Sequence, residues 1–155
     1  MYLLWIGARQ AYSVVLHQWD PNYRMTVDAA YGGFNVVGQA VVAVLAIGAF
    51  VAMHARYRHA LMMATAAMAF YTGVSAAGIV HTANNLPAAR EAYRANREAR
   101  GWQINERQLD QMFSPEVVPV LWGTLVVISV PPYIILLWRK DEFAPEDETE
   151  EDAAA

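Results

Sequence analysis

The chain has 155 residues, 56% of them hydrophobic and 17% charged, with a formal net charge of −4 and no cysteine. The charged share lies below the roughly 25% of an ordinary soluble domain, and the charges are gathered into a few blocks, the pattern of a membrane protein. The missing cysteine excludes disulfides, thiolate-held iron–sulfur clusters, covalent c-type haem and a cysteine nucleophile. Eight of the fifteen acids follow Lys140, so the net charge reflects the tail. No basic face is offered to nucleic acid. Met1 runs straight into apolar residues, without a basic n-region, so no cleavable signal peptide is expected.

Residues 1–20 carry one narrow polar stripe. Arg9, Ser13 and His17 fall at i, i+4 and i+8 beside Gln10, and Tyr, Leu, Trp, Ile and Val fill much of the remainder. The pattern is an amphipathic helix. It either lies in the headgroup region or crosses as a fourth span with the stripe facing the bundle. The interfacial placement is the preferred reading, because a spanning helix would put Arg9 near mid-depth, at about 2.5–3.5 kcal/mol on insertion scales. Asp20 to Thr26 reads as a turn, since Asp-Pro biases the chain out of helix. Trp19, Tyr23 and Tyr31 suit an aromatic belt at one membrane face.

Three clear spans follow, over about 33–54, 60–81 and 116–138, each without a charge through its apolar centre. About twenty apolar residues match the hydrocarbon thickness. In the first span, Asn35 and Gln39 lie one turn apart, and amides in hydrocarbon need partners. An interhelical hydrogen bond or a ligand would satisfy them. The short basic connection His54 to His59 makes the first two spans antiparallel neighbours.

The second span carries Ala69, Gly73 and Ala77 at i, i+4 and i+8, a small-residue stripe that lets another helix come close. Thr65, Met68, Thr72 and Ser75 mark a second, mildly polar face, so the helix is expected to touch at least two neighbours. The third span contains Pro131 and Pro132. They remove two N–H groups and crowd the carbonyls of Val127 and Ile128, so a kink is expected. Those carbonyls need partners from Thr124, Ser129, a neighbouring helix or water.

Between the last two spans, 82–114 reads as an extramembrane helical loop. One helix begins around Asn85 and Pro87 and stops at Gly101, and a second covers about 106–113. Ala88, Ala92, Ala95 and Ala99 form one stripe of the first, suited to docking on the bundle or on a partner subunit. Glu91 with Arg94 and Arg94 with Glu98 are expected to pair. Arg139 and Lys140 flank the last span, and 141–155 is an acidic tail expected to be disordered. The expectation is an all-α integral membrane protein, a single bundle over 1–140, with no second domain.

Chemistry is sparsely signalled. His17 and His81 would end parallel helices at similar depth if residues 1–20 span, and such a pair could hold haem b or, singly, another tetrapyrrole. With Asn35 and Gln39 they could also frame a quinone site. Histidines at span ends commonly serve only headgroups and hydrogen bonds. Met53, His54, His59, Met62 and Met63 crowd the short turn, where Met usually fills packing gaps and only rarely holds Cu(I). No nucleophile elbow, HExxH, phosphate-cradling glycine loop or intramembrane carboxylate pair is present, so no enzyme is expected.

The leading expectation is an accessory subunit of a larger membrane complex, of the bioenergetic (electron-transport or photosynthetic) type, with other membrane subunits and the lipid bilayer as partners. The alternatives are a haem- or quinone-binding redox module and a small homo-oligomeric transporter or channel beside the proline kink. A bacterial inner membrane is the expected location, with the short turn and the C-terminus cytoplasmic. The basic residues divide between both sides, however, and the loop's five arginines are interleaved with four acids.

Overall fold

A computed structural model describes residues 1–138; the expectations for Arg139, Lys140 and 141–155 lie outside the described residues. The described residues form seven helices and no strand: α1 (Tyr2–Trp19), α2 (Pro21–Tyr31), α3 (Phe34–His54), α4 (Ala60–Asn84), α5 (Leu86–Ala99), α6 (Glu106–Met112) and α7 (Val117–Trp138). Three of them, α3, α4 and α7, are long and apolar enough to cross a membrane.

The arrangement has two parts. The long helices α1, α3, α4 and α7 form a curled row, each packed on the next, while α2, α5 and α6 cap one end. The row is antiparallel throughout. Gly7 of α1 lies against Ala43 and Ile47 of α3. Gly38 of α3 lies against Val74 of α4, and Gly48 against Met63. The proline-containing end of α7, at Pro132 and Leu136, shares a cavity with Met68 of α4. The short turn therefore shares one end of the bundle with Met1, and the cap covers the other.

α1 packs on the bundle by its apolar face. The helix runs lengthwise along α3, reaching from Leu3 beside Phe50 and Met53 to His17 beside the cap. The contact depends on Gly7: a Cβ there would sit 2.6 Å from Ile47 Cγ1 and 3.3 Å from the Ala43 carbonyl. Sequence periodicity shows the stripe of α1 but not which surface receives its apolar face.

The core is built from small residues. Ala46, Ala49 and Ala52 of α3 and Ala60, Ala64 and Ala67 of α4 are all buried, and Leu3, Ile6, Val42, Met68, Tyr71 and Leu136 complete the packing. Small side chains bring backbones close and raise dispersion contact, the main attraction between helices that share an apolar surround.

The corner between α1 and α2 is a correction. Asp20 to Thr26 is not a turn: Asp20 ends α1 in an extended conformation and caps α2, its Oδ1 accepting from the Asn22 and Tyr23 N–H groups at 2.9 and 3.2 Å. Pro21 stands at the first helical position, where its fixed φ favours a helix start. Asp-Pro was therefore a helix-start signal. At the far end of α2, Gly32 turns the chain into α3 with φ +84°. A side chain there would also meet the Phe34 ring at 2.6 Å.

The proline pair lies inside α7, and the neighbouring-helix solution is the one seen for Ile128. Its carbonyl accepts from the Tyr2 hydroxyl of α1 at 2.7 Å, across 126 residues of sequence.

The cap is polar. Asn96 of α5 donates to the Asn22 carbonyl at 3.0 Å and to Thr26 Oγ1 at 2.7 Å on α2. Arg100 pairs with Asp20, and Arg90 reaches Glu106 and Asp110 of α6 at 2.7 and 2.8 Å. Arg94 pairs with Glu98 at 3.1 Å as expected. The expected Glu91–Arg94 pair is not formed. Glu91 goes to Arg90, and Arg94 turns towards Glu106, because α6 brings competing carboxylates alongside.

Two substitutions test these contacts. Gly7→Val should destabilise the bundle by about 1–3 kcal/mol through overpacking, while Gly123→Ala, where a Cβ meets nothing within 4 Å, should not. Tyr2→Phe should cost about 1–3 kcal/mol by stranding the Ile128 carbonyl. Denaturation in mild detergent reads all three.

Candidate functional site

The curl of the row leaves a groove between α1 and α7, floored by α3 and α4. Two cavities occupy it. The one nearer the cap encloses about 400 Å³ and is polar: Arg9, Gln10 and Ser13 come from α1, Asn35 and Gln39 from α3, Ser75 from α4 and Thr124 from α7. Tyr23 and Tyr31 of α2 close its capped end. The second, towards the short turn, encloses about 630 Å³ and is lined by Met1, Leu3, Phe50, Met53, Pro132 and Leu136 among others. Tyr2 lines the apolar cavity and Ile128 the polar one, so the Tyr2–Ile128 hydrogen bond stands where they meet.

The polar cavity is incompletely satisfied from within. The Tyr23 hydroxyl donates to Ser13 Oγ at 3.2 Å, and the Thr124 hydroxyl bonds back to the Val120 carbonyl at 2.8 Å. The side chains of Arg9, Gln10, Asn35 and Gln39 make no hydrogen bond among the described residues. Asn35 is only 6% exposed, and the expected interhelical hydrogen bond from Asn35 or Gln39 is not formed among the described residues. The Arg9 guanidinium has no ion pair; it lies over the Trp5 ring at 5.5 Å. Gly7 is level with Ala43 and Ile47, which flank the midpoint of α3, so Arg9 falls about one turn from that midpoint. In a hydrocarbon surround this position costs about 2.5–3.5 kcal/mol for an unaccompanied charge.

The histidines part from the amides. His17 is buried, and its Nε2 lies 2.9 Å from Asp28 Oδ1, while its Nδ1 is buried without a partner. His81 meets Phe34 edge-on, ring centres 6.2 Å apart. Neither lines either cavity. With Nε2 engaged by Asp28 and Nδ1 enclosed, His17 presents no open nitrogen to a haem iron, so the structure does not assemble a His17–His81 haem site. The Asp28 contact lies 11 residues along the chain across the α1–α2 corner, and reading Asp20 to Thr26 as a turn hid it. At the short turn, His54 packs on Phe50 and His59 accepts from the Arg58 Nε–H. No cluster of three His, Asp or Glu suited to a metal occurs among the described residues.

The two small-residue stripes face outward. Ala69, Gly73 and Ala77 are all exposed, and a Cβ on Gly73 would meet nothing within 4 Å. The mildly polar face of α4 is the one used internally: Met68 is in the core and Ser75 lines the polar cavity. On α5, Ala88, Ala95 and Ala99 are exposed and Ala92 half-buried, whereas Ala89 is buried and Asn96 grips α2. The helix thus docks on its own bundle by a face beside the alanine stripe.

Electrostatics in the cap support its geometry. The Asp20 carboxyl is held below the usual carboxylate range, first by the Tyr23 N–H, with the Asn22 N–H and Arg100 adding against an opposing desolvation. The Arg90 guanidinium is held more firmly protonated, chiefly by its hydrogen bond to Asp110, with Glu106 adding.

No protein-family model, curated protein or solved structure matches the chain.

A depressed carboxyl stabilises the fold above its unfolded value and loses that contribution as pH falls through the folded one. The α2 start and the Asp20–Arg100 clasp should therefore hold at pH 5 and loosen below about pH 4. Amide-exchange protection at Asn22 and Tyr23 measures this, and Asp20→Asn should remove the pH dependence.

Proposed function

We propose that this chain is an accessory subunit of a larger membrane complex, inserted through α3, α4 and α7 with α1 alongside, and holding its partner by the outer face of α4. The observation that carries the reading is Gly73. It lies on the central helix, exposed between Ala69 and Ala77, with no atom near the place of its Cβ. Lipid tails gain little from such a flat face, whereas a second helix can bring its backbone close. α7 adds to the support. Only Leu125, Ser129 and Leu136 of it are buried, leaving its outer side apolar and uncovered. The alanine stripe of α5 offers a further contact outside the bilayer. The location proposed is a bacterial inner membrane, with the short turn on the cytoplasmic side.

Mild-detergent extraction followed by native mass spectrometry tests the assembly. The chain should be recovered with larger subunits. Gly73→Leu should lower that recovery roughly tenfold while changing the stability of the isolated chain by no more than about 0.5 kcal/mol, as at other uncommitted surface sites. A lone monodisperse chain, or a homo-oligomer of it, overturns the reading.

Orientation is tested separately. The chain has no cysteine, so Tyr57→Cys in the short turn and Trp102→Cys in the cap give single labels. An impermeant maleimide on intact cells should label Trp102→Cys and spare Tyr57→Cys.

A further inference from the structure

We propose that the polar cavity binds an oxyanion, the phosphate or carboxylate headgroup of an amphiphile, with Arg9 as its charge partner and the apolar cavity holding the tail. The charge pattern selects the sign of the ligand. Among the described residues, Arg9 is the one basic side chain lining the cavity, and neither Asp nor Glu lines it. Its guanidinium makes no ion pair and retains the planar donor set that suits a two-oxygen anion.

The surrounding groups are also unclaimed. Asn35 is 6% exposed, lines the cavity and makes no side-chain hydrogen bond. The Asn35 amide faces the cavity with donor and acceptor capacity that a ligand there can use. Gln10 and Gln39 add donors from two different helices. Amide N–H groups around a guanidinium would complete the hydrogen-bonding of an oxyanion, and the guanidinium charge disfavours a cation.

The apolar neighbour argues for an amphiphile over a small soluble anion. Its volume of about 630 Å³ is that of a ligand pocket, which runs from roughly 300 to 1,000 Å³. It adjoins the polar cavity at the Tyr2–Ile128 bond, between the same four helices. A polar end beside Arg9 and an apolar end beside Phe50 and Met53 match one molecule lying along the groove.

This reading is independent of the assembly role, because it uses the inner side of the bundle and not the outer face of α4. It is tested on the purified full chain in detergent, by native mass spectrometry and thermal melting, with phosphatidylglycerol, phosphatidylcholine and inorganic phosphate as probes. Phosphatidylglycerol should be retained in preference to phosphatidylcholine. Arg9→Gln should weaken its binding by roughly tenfold, the weight of one charge-assisted contact. Arg24→Gln, an exposed arginine outside the cavity, should not. Retention that excess inorganic phosphate does not displace supports a lipid headgroup. A rise in melting temperature with inorganic phosphate that Arg9→Gln abolishes supports the same oxyanion site with a soluble source. Should Arg9→Gln fail to fold, Ser75→Phe fills the cavity without touching the charge and should also abolish binding. Equal binding by the wild type and either variant, or no binding of phosphatidylglycerol or phosphate by the wild type, overturns the proposal.

Discussion

The structure depends on how closely α3 can be approached from both sides. It meets α1 where Gly7 sits under Ile47 and Ala43, and it meets α4 along an alanine ladder and at Gly38. In an apolar surround, burying more methyl groups brings little, because lipid tails are as apolar as leucine. What holds such helices together is the number of atoms in contact at short range, and small residues raise that number by removing the spacer. With α1 and α4 drawn in, the row must curl, and α7 is left touching α4 along one narrow side. The groove follows from that tightness.

The two parts of the molecule are held by different forces. The row has dispersion and a polar tie from Tyr2 to Ile128, and the Thr82 hydroxyl of α4 ties it to the cap through the Ala30 carbonyl of α2 at 2.6 Å. The cap has ion pairs, a buried-face amide at Asn96, and arginines laid on Trp102 at 5.1 and 5.5 Å. Exposed ion pairs are individually weak. Their work in the cap is chiefly directional: they fix α2 and α5 so that Tyr23 and Tyr31 close the polar cavity.

Much of the architecture was legible in the sequence, and the reasons are local. The lengths of α3, α4 and α7, the antiparallel turn at His54 to His59, the start of α5 at Pro87 and the cap of α6 at Asn105 all depend on neighbours in sequence. What was not legible depends on register between distant segments. Arg9, Gln10, Asn35 and Gln39 were visible as polar residues on apolar helices, but nothing in their spacing says that α1 and α3 bring them to one cavity. Tyr23 and Tyr31 read as belt residues because their partners lie on other helices. His17 read as a candidate ligand because Asp28 lies beyond a corner mistaken for a turn. The stripe on α4 was legible as small residues at helix spacing, but only the packed bundle shows that its own helices leave it bare.

The Tyr2–Ile128 bond also bears on how the protein is made. Its donor lies in α1 and its acceptor 126 residues later in α7, so it can form only when α7 has been synthesised. Until then α1 can settle against α3, but the fourth wall of the groove is missing. The groove is therefore closed only once α7 has been made and packs on α4, with its Ile128 carbonyl at the Tyr2 hydroxyl. An occupant that is present as that wall closes need not thread its way in afterwards.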